Sequence, residues 1–264
     1  MGIRTIIKRR YVKYSSAPYL QKILYGVVER PWYGHFIYEA GILAKALGHS
    51  KVSIIEFGVA GGNGLINIEK HVEIISRELN LDFEIYGFDL TTGLPKSDNY
   101  KDMTYAWNPG SFEMDEKKLK AQLHLSKLII GDVQKTVPEF IERYNPSPIG
   151  CIMFDLDYYS ATKHAFRIFN EDEKYFMPRV NCYFDDVNLT NEYIGELNAI
   201  KEFNEENKNK KISLLYNFGE RIYNFWYDWL MFGNRMFQYH NFSHRDYNKP
   251  LHSTKRQLHL SKEI

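Results

Sequence analysis

Through the middle of the chain, short apolar runs alternate with stretches in which apolar residues recur every three or four positions. The runs are Val52–Phe57, Phe83–Phe88, Lys127–Ile130, Ile149–Phe154 and Asn181–Phe184. Their length and near-continuous apolarity predict strands buried on both faces. Between them, Leu65–Leu79 aligns Ile68, Val72, Ile75 and Leu79 on one helical face, and Lys117–Leu125, Val137–Tyr144, residues 160–170 and Glu192–Glu206 read as further helices. Upstream, residues 16–48 read as helical, with a break near Pro31 and a stop at Gly48. Residues 90–112, with Gly93, Pro95, Pro109 and Gly110, read as a loop. Two aromatic-rich runs, Ile212–Phe218 and Ile222–Phe232, read as a strand pair. This alternation predicts an α/β fold: a Rossmann-like, doubly wound sheet, mostly parallel, with an antiparallel strand pair at its C-terminal end and helices on both faces. The expected organisation is a helical lid segment over 1–50, a Rossmann-like core over 51–235 and a polar arm over 236–264.

The ends of the apolar runs carry the candidate chemistry. The first run leads into a glycine-rich turn, Gly58-Val59-Ala60-Gly61-Gly62-Asn63-Gly64, and then a helix start. Such a turn lets a ligand approach the backbone, and the helix N-terminus offers free N–H groups. Glu56, Asp89, Asp132, Asp155 and Asp185 all sit at strand ends, where an open parallel sheet places its ligand crevice. A single acid there is ordinarily a turn former or a helix cap. Five on one edge fit that reading poorly. Asp89 is placed to accept both hydroxyls of a ribose, Asp132 an adenine amino group, and Glu56 lies under the turn, where an ammonium would sit. Together they describe a site for a nucleoside with an amino-acid tail. The turn lacks the Gly-Lys-Ser/Thr of a phosphate-binding loop.

A second acidic group is Asp155-Leu156-Asp157 with the pair Asp185-Asp186. Left unpaired, these carboxylates would repel and raise one another's pKa. Either a hard divalent cation such as Mg²⁺ resolves that, or Lys163, Arg167 or Arg179 neutralises them.

Composition narrows the function classes. The chain has 264 residues with net charge +1, enough for one large domain and without a global signal for binding polyanions. Cys151 and Cys182 fall in apolar runs and read as reduced core residues of a cytoplasmic protein. No apolar stretch is long enough to span a bilayer, and the basic start lacks the apolar core of a signal peptide. Residues 1–30 hold Arg4, Lys8, Arg9, Arg10, Lys13, Lys22 and Arg30 against Glu29 alone. That stretch is either a solvated helix face or a weak contact for an anionic membrane or a charged acceptor. The tail histidines lack zinc-ligand spacing.

The segment from Glu56 to Gly62 resembles the first motif of class I S-adenosylmethionine-dependent methyltransferases, and more closely that of the macrocin O-methyltransferase family, through Glu56, Gly58, Val59, Gly61 and Gly62. The family's Asp followed by Gly-Leu-Pro resembles Asp89-Leu-Thr-Thr-Gly93-Leu94-Pro95. Its Gly-x-x-x-x-Thr-x-Pro is similar to Gly131 through Pro138, its Asp-x-Asp-x-Tyr-x-Ser/Ala-Thr to Asp155 through Thr162, and its Asp-Asp pair to Asp185-Asp186. The chain departs at Val187, where an aromatic often follows the pair, and at Thr92, where an acid usually precedes Gly-Leu-Pro.

The resemblance covers roughly residues 30–235. It implies S-adenosyl-L-methionine held by Glu56, Gly58, Val59, Gly61, Asp89, Asp132 and Val133, and Mg²⁺ held by Asp155, Asp185 and Asp186. It also implies a small-molecule or glycan acceptor, and a homo-oligomer is frequent in the family; the small net charge and the lack of an Asn/Asp-Pro-Pro-Tyr signature argue against nucleic acid. Asp157 is the expected general base, with His164 the next candidate and a capping or supporting role for Asp157 as the plainer alternative. Trp32 and Tyr33 either close over the site or pack in the core. Tyr158 and Tyr159 are candidates for the acceptor pocket, one of them merely packing. The aromatic runs Tyr223–Trp229 and Met231–Tyr239 form either a buried hairpin or a dimer surface. The expected reaction is O-methylation of a sugar hydroxyl. The alternatives are a catechol-like phenol as acceptor, or an inactive cofactor-binding subunit.

Overall fold

The computed structural model describes residues 3–216 and 233–251. Three helices come first: α1 (Ile3–Tyr14), α2 (Tyr19–Leu24) and α3 (Pro31–Leu47). Pro31 opens α3, where its missing N–H costs nothing, and Gly48 closes it at φ +89°. There follow β1 (Lys51–Phe57), α4 (Asn63–Leu79), β2 (Asp82–Asp89), α5 (Glu116–Lys120), β3 (Ser126–Ile130), α6 (Val133–Tyr144), β4 (Ile149–Phe154), α7 (Tyr159–Ala165), β5 (Phe176–Phe184), α8 (Gly195–Glu206), β6 (Lys210–Leu214) and β7 (Met236–Asn241).

The strands form one seven-stranded sheet in the order β3-β2-β1-β4-β5-β7-β6. The first five are parallel, and β7 runs antiparallel to both β5 and β6. This is the Rossmann-like arrangement expected from the alternation. α3 and α4 cover one face over a core that includes Ile54, Leu65, Ile68 and Met153. α6, α7 and α8 cover the other over Phe57, Phe154, Phe166, Phe169 and Phe184, where aromatic rings meet edge-on or stacked. Both cysteines are buried and unpaired.

Two strand expectations differ in extent. β5 begins at Phe176 rather than Asn181, because Pro178 falls where the pairing with β4 shifts register between Ile149/Phe176 and Cys151/Asn181. A proline is tolerated at such an irregularity. The strand paired with β6 is Met236–Asn241, so the sheet takes in residues past 235. The runs Ile222–Phe232 and Tyr223–Trp229 lie outside the described residues, as do His252 and His259. No helix among the described residues is long and apolar enough to cross a membrane.

Candidate active site

β1 ends at Phe57, and the chain turns sharply into α4. Gly58 has φ +84°, and a Cβ there would fall 1.7 Å from the Asp155 carbonyl oxygen, so only glycine lets β1 lie this close to the end of β4. Gly64 leaves the space that Glu56 fills, since a Cβ would stand 1.8 Å from Glu56 Oε1. From the end of β2, Asp89 latches the turn. Its Oδ2 accepts the N–H groups of Val59 and Ala60, both at 2.5 Å. Burial raises its carboxyl above the usual range, against the pull of those bonds.

These strand ends open on a cavity of about 440 Å³, within the range of ~300–1,000 Å³ common for small-molecule sites. Gly58, Asp89, Asp132, Val133, Asp155, Asp157, Asp185 and Asp186 all line it. Glu56, Val59 and Gly61 stand outside the lining. Glu56 lies beneath the turn at 1% exposure, receives the Tyr33 hydroxyl at 3.3 Å, and has Oε2 buried with no partner. Burial, then the charge of Asp155, pushes its carboxyl well up. Val59 is buried with its N–H on Asp89, and Gly61 is exposed. Asp132 also has the plainer role: its carboxylate caps α6, accepting Gln134 N–H at 2.8 Å.

The second acidic group is brought together as expected. Asp155 N–H bonds Phe57 O and Asp185 N–H bonds Phe154 O, which continues the ladders and sets the two acids side by side. Asp157 sits at φ +56°, with the Tyr158 N–H donating across it to Leu156 O. This is a γ-turn of the rarer positive-φ kind, strained by about 1–3 kcal/mol for a side chain with a Cβ. The strain turns Asp157 inward, where its carboxyl hydrogen-bonds that of Asp186. Burial, then the charges of Asp185 and Asp186, pushes the Asp155 carboxyl up to about 8. Asp157 and Asp186 are also raised, chiefly by burial, and their hydrogen bond links the titration of one to that of the other.

The countercharges are not those expected. Lys163 pairs with Glu202 and Glu206, Arg179 donates to Tyr247 O, and Arg167 is exposed. Instead Arg235 Nη1 stands 2.7 Å from Asp185 Oδ1, and the Tyr183 hydroxyl donates to the same oxygen at 2.8 Å. Arg30, whose guanidinium lies 5.1 Å from the Tyr33 ring centroid, adds positive charge felt by Glu56, Asp155 and Asp185. The sequence reading also missed Glu196 on α8. It is fully buried, accepts the Asp186 N–H at 2.9 Å, and has Oε1 without a partner. Arg30 had a signal in its place just before Trp32-Tyr33; Arg235 and Glu196 had none.

Among the described residues, no three His, Cys, Asp or Glu side chains stand in a ready-made metal arrangement. Asp185 is drawn to Arg235, and Asp157 and Asp186 to each other. The donor chemistry nonetheless fits a hard cation: the oxygens are carboxylates, and Asp186 Oδ2 is buried without a partner. The metal set expected from the sequence therefore borders one cavity, with Asp185 Oδ1 already held by Arg235 and Tyr183.

Residues 90–112 wall the cavity through Leu94, Pro95, Trp107 and Phe112. The loop is tied down by buried Asp102, which accepts from Ser97 Oγ, Ser160 N and Ser160 Oγ at 2.6–2.9 Å. Trp107 and Phe112 meet edge-on at 5.9 Å, and the Trp107 indole nitrogen is buried without a partner. His164 lines the cavity from α7, and so does Tyr158, whose hydroxyl donates to Pro95 O. Tyr159 turns away to Glu202. Tyr33 is core, packed edge-on against Tyr183, and Trp32 stacks on the same ring at 6.4 Å.

Comparison with solved structures gives the fold a counterpart. The calicheamicin methyltransferase CalS11 superposes with a TM-score of 0.50 at 23% identity, over 76% of this chain and 83% of that one. The two chains share a fold. A second structure of CalS11, an apo form described as a TDP-rhamnose 3'-O-methyltransferase, aligns at 22% identity over 76% of this chain and 84% of that one, with a TM-score of 0.43. The O-methyltransferase TomG from Streptomyces achromogenes, in complex with SAM, aligns at 11% identity over 89% and 94%, with a TM-score of 0.44. No protein-family model matches the chain, and no curated protein matches it significantly.

Proposed function

We propose that the protein is an S-adenosylmethionine-dependent O-methyltransferase acting on a sugar hydroxyl in a glycoside, a nucleotide sugar or a polysaccharide precursor. One observation carries the reading: the Asp89-latched glycine turn and the cluster of Asp155, Asp157, Asp185 and Asp186 line the same cavity. The first is suited to a ribose and the second to activating a hydroxyl. The fold shared with CalS11 supports it, as do the motifs that resemble the macrocin family.

In this reading Asp89 accepts from the ribose, Asp132 and Val133 border the adenine, and buried Glu56 faces the ammonium end. The methyl donor is a sulfonium, already a good leaving group. The protein's work is to align an acceptor oxygen behind the methyl, worth at best ~7–11 kcal/mol, and to take that oxygen's proton. Asp157 is the proposed base. Burial raises its carboxyl, so once ionised it is a stronger proton acceptor than an ordinary aspartate. Asp155, Asp185 and Asp186 are the proposed holders of Mg²⁺, which when bound would lower the pKa of an acceptor diol. Trp107 and Phe112 would exclude water above the acceptor, and they also suit a planar catechol.

The test is transfer of a labelled methyl group from S-adenosylmethionine to nucleotide sugars, glycosides and a catechol, with and without Mg²⁺, beside calorimetric titration with S-adenosylhomocysteine. A methylated sugar supports the proposal, and a methylated catechol alone replaces the acceptor. Binding without transfer to any acceptor points to an inactive cofactor-binding subunit. No binding of S-adenosylhomocysteine removes the cofactor assignment.

The Arg235–Asp185 pair makes a separate expectation. Arg235→Gln frees Asp185 Oδ1 from a half-buried ion pair of about 1 kcal/mol. Calorimetry should then show Mg²⁺ binding about fivefold tighter. Weaker binding would mean that the arginine orients Asp185 for the metal rather than competing with it.

A further inference from the structure

Helix α1 presents the wrong face to water. Among its described side chains the buried one is Val12, at 3% exposure. Around that side Lys8 lies over the Tyr25 ring, and Arg9 donates to the Gly26 carbonyl. At 100° per residue Ile7, Arg10 and Tyr14 fall on the opposite side, with Ile6, Tyr11 and Lys13 on its flanks. Ile6, Ile7, Tyr11 and Tyr14 are 51, 63, 72 and 75% exposed. An ordinary surface helix turns such residues inward and its charges outward. Here the outward face is isoleucine and tyrosine, with cations interleaved.

The charge pattern names the partner. Arg4, Lys8, Arg9, Arg10, Lys13 and Lys22 precede the first acidic residue of the chain, Glu29. A face that joins exposed apolar side chains to an excess of positive charge, with Arg10 and Lys13 exposed among them, is complementary to an anionic lipid surface, with the apolar groups in the acyl boundary and the cations among the headgroups. Tyrosine suits that depth, having an apolar ring and a wet hydroxyl. A second protein would match the isoleucines equally well, but would need a strongly acidic rim to match the cations. At 12 residues the helix is far too short to span a bilayer, so it would lie on the surface.

We propose that α1 is a membrane-surface anchor that docks the protein on anionic lipid. The inference stands apart from the methyltransferase reading, since it uses none of the cavity residues and its test needs no activity. The test is co-sedimentation of the full chain with phosphatidylcholine vesicles in which one third of the lipid is phosphatidylglycerol, against pure phosphatidylcholine vesicles. Binding should appear on the anionic vesicles, fall steeply as salt is raised, and be nearly absent on the neutral ones. The double variant Ile7→Glu/Tyr11→Glu should bind at least ~10-fold more weakly, and Arg10→Gln/Lys13→Gln should lose most of the salt dependence. Each altered residue is exposed, so unchanged thermal melting will show that the variants are folded. Equal binding to neutral vesicles, or binding that survives both double variants, would overturn the proposal. So would a lack of vesicle binding with self-association in ultracentrifugation that Ile7→Glu/Tyr11→Glu abolishes, which would assign the face to a second copy of the chain.

Discussion

Asp89→Ala should weaken S-adenosylhomocysteine binding by about a hundredfold. The carboxylate holds the Val59 and Ala60 N–H groups on Oδ2, and in the proposed complex it also accepts from the ribose. Hydrogen bonds to a charged acceptor are each worth ~1.5–3 kcal/mol, and about 3 kcal/mol is roughly two powers of ten in affinity. The substitution acts twice, because it also releases the turn. Ala60, at φ +45°, adopts a backbone conformation that an alanine seldom takes unaided. Asp132→Ala is the contrast. Asp132 is exposed and caps α6, so its loss should cost about 1 kcal/mol of stability and much less binding. Calorimetry on both variants reads the difference. If Asp89→Ala bound as the wild type does, Asp89 would be only a latch for the turn, and the ribose would have to be sought elsewhere.

Asp157→Asn should lower turnover by ~10²–10⁴-fold while leaving S-adenosylhomocysteine affinity in place, the usual loss when a general base is removed. The same cluster predicts a gain in stability where function is lost. The Asp155 carboxyl is held at about 8 in the folded protein, against about 3.9 in an unfolded chain. The unfolded state therefore gives up this proton first. The stability linked to it is full below about pH 4 and is lost as pH rises through about 8. Asparagine at 155 carries no such penalty. Asp155→Asn should melt at least ~2–4 °C above the wild type near pH 8, equivalent to ~1 kcal/mol, and the gap should close near pH 4. Added Mg²⁺ should narrow it by stabilising the wild type alone. A difference that did not change with pH would mean that packing, not charge, sets the effect.

The sheet, its parallel run and the acidic strand ends were readable from the chain because they depend on local pattern. A buried strand announces itself by continuous apolar residues, and the residue after it marks the edge where ligands gather. Asp155, Asp157, Asp185 and Asp186 could therefore be assembled before any coordinate. What escaped was whatever depends on chain returning from far away. Arg235 lies fifty positions from Asp185 and in no motif. Glu196 looked like one acid among several on an amphipathic helix, yet it is buried under the Asp186 backbone. Trp107 and Phe112 belonged to a stretch whose only signals were turn residues. Pro178 hid half of β5, since a proline argues against a strand unless a register shift accommodates it. Lys163 was a natural countercharge by proximity along the chain, but its helix turns it to Glu202 and Glu206.

The strand order sets a timetable for assembly. β7 lies between β5 and β6, although β6 is synthesised before it. Among the described strands β6 has no other neighbour, so it waits with an unpaired edge until its later-made partner arrives. Arg235 sits immediately before β7 and travels with it. During synthesis on a ribosome, Asp155, Asp157, Asp185 and Asp186 therefore gather before Arg235 reaches them. A nascent chain paused at this stage would hold its acids against the charge of Arg30 but without that of Arg235, beside an open sheet edge, a species prone both to reopening and to pairing with another chain. Non-local pairing of this kind is slow. Lowering pH or supplying a divalent cation during refolding would neutralise the cluster early, so both should raise the yield of folded protein.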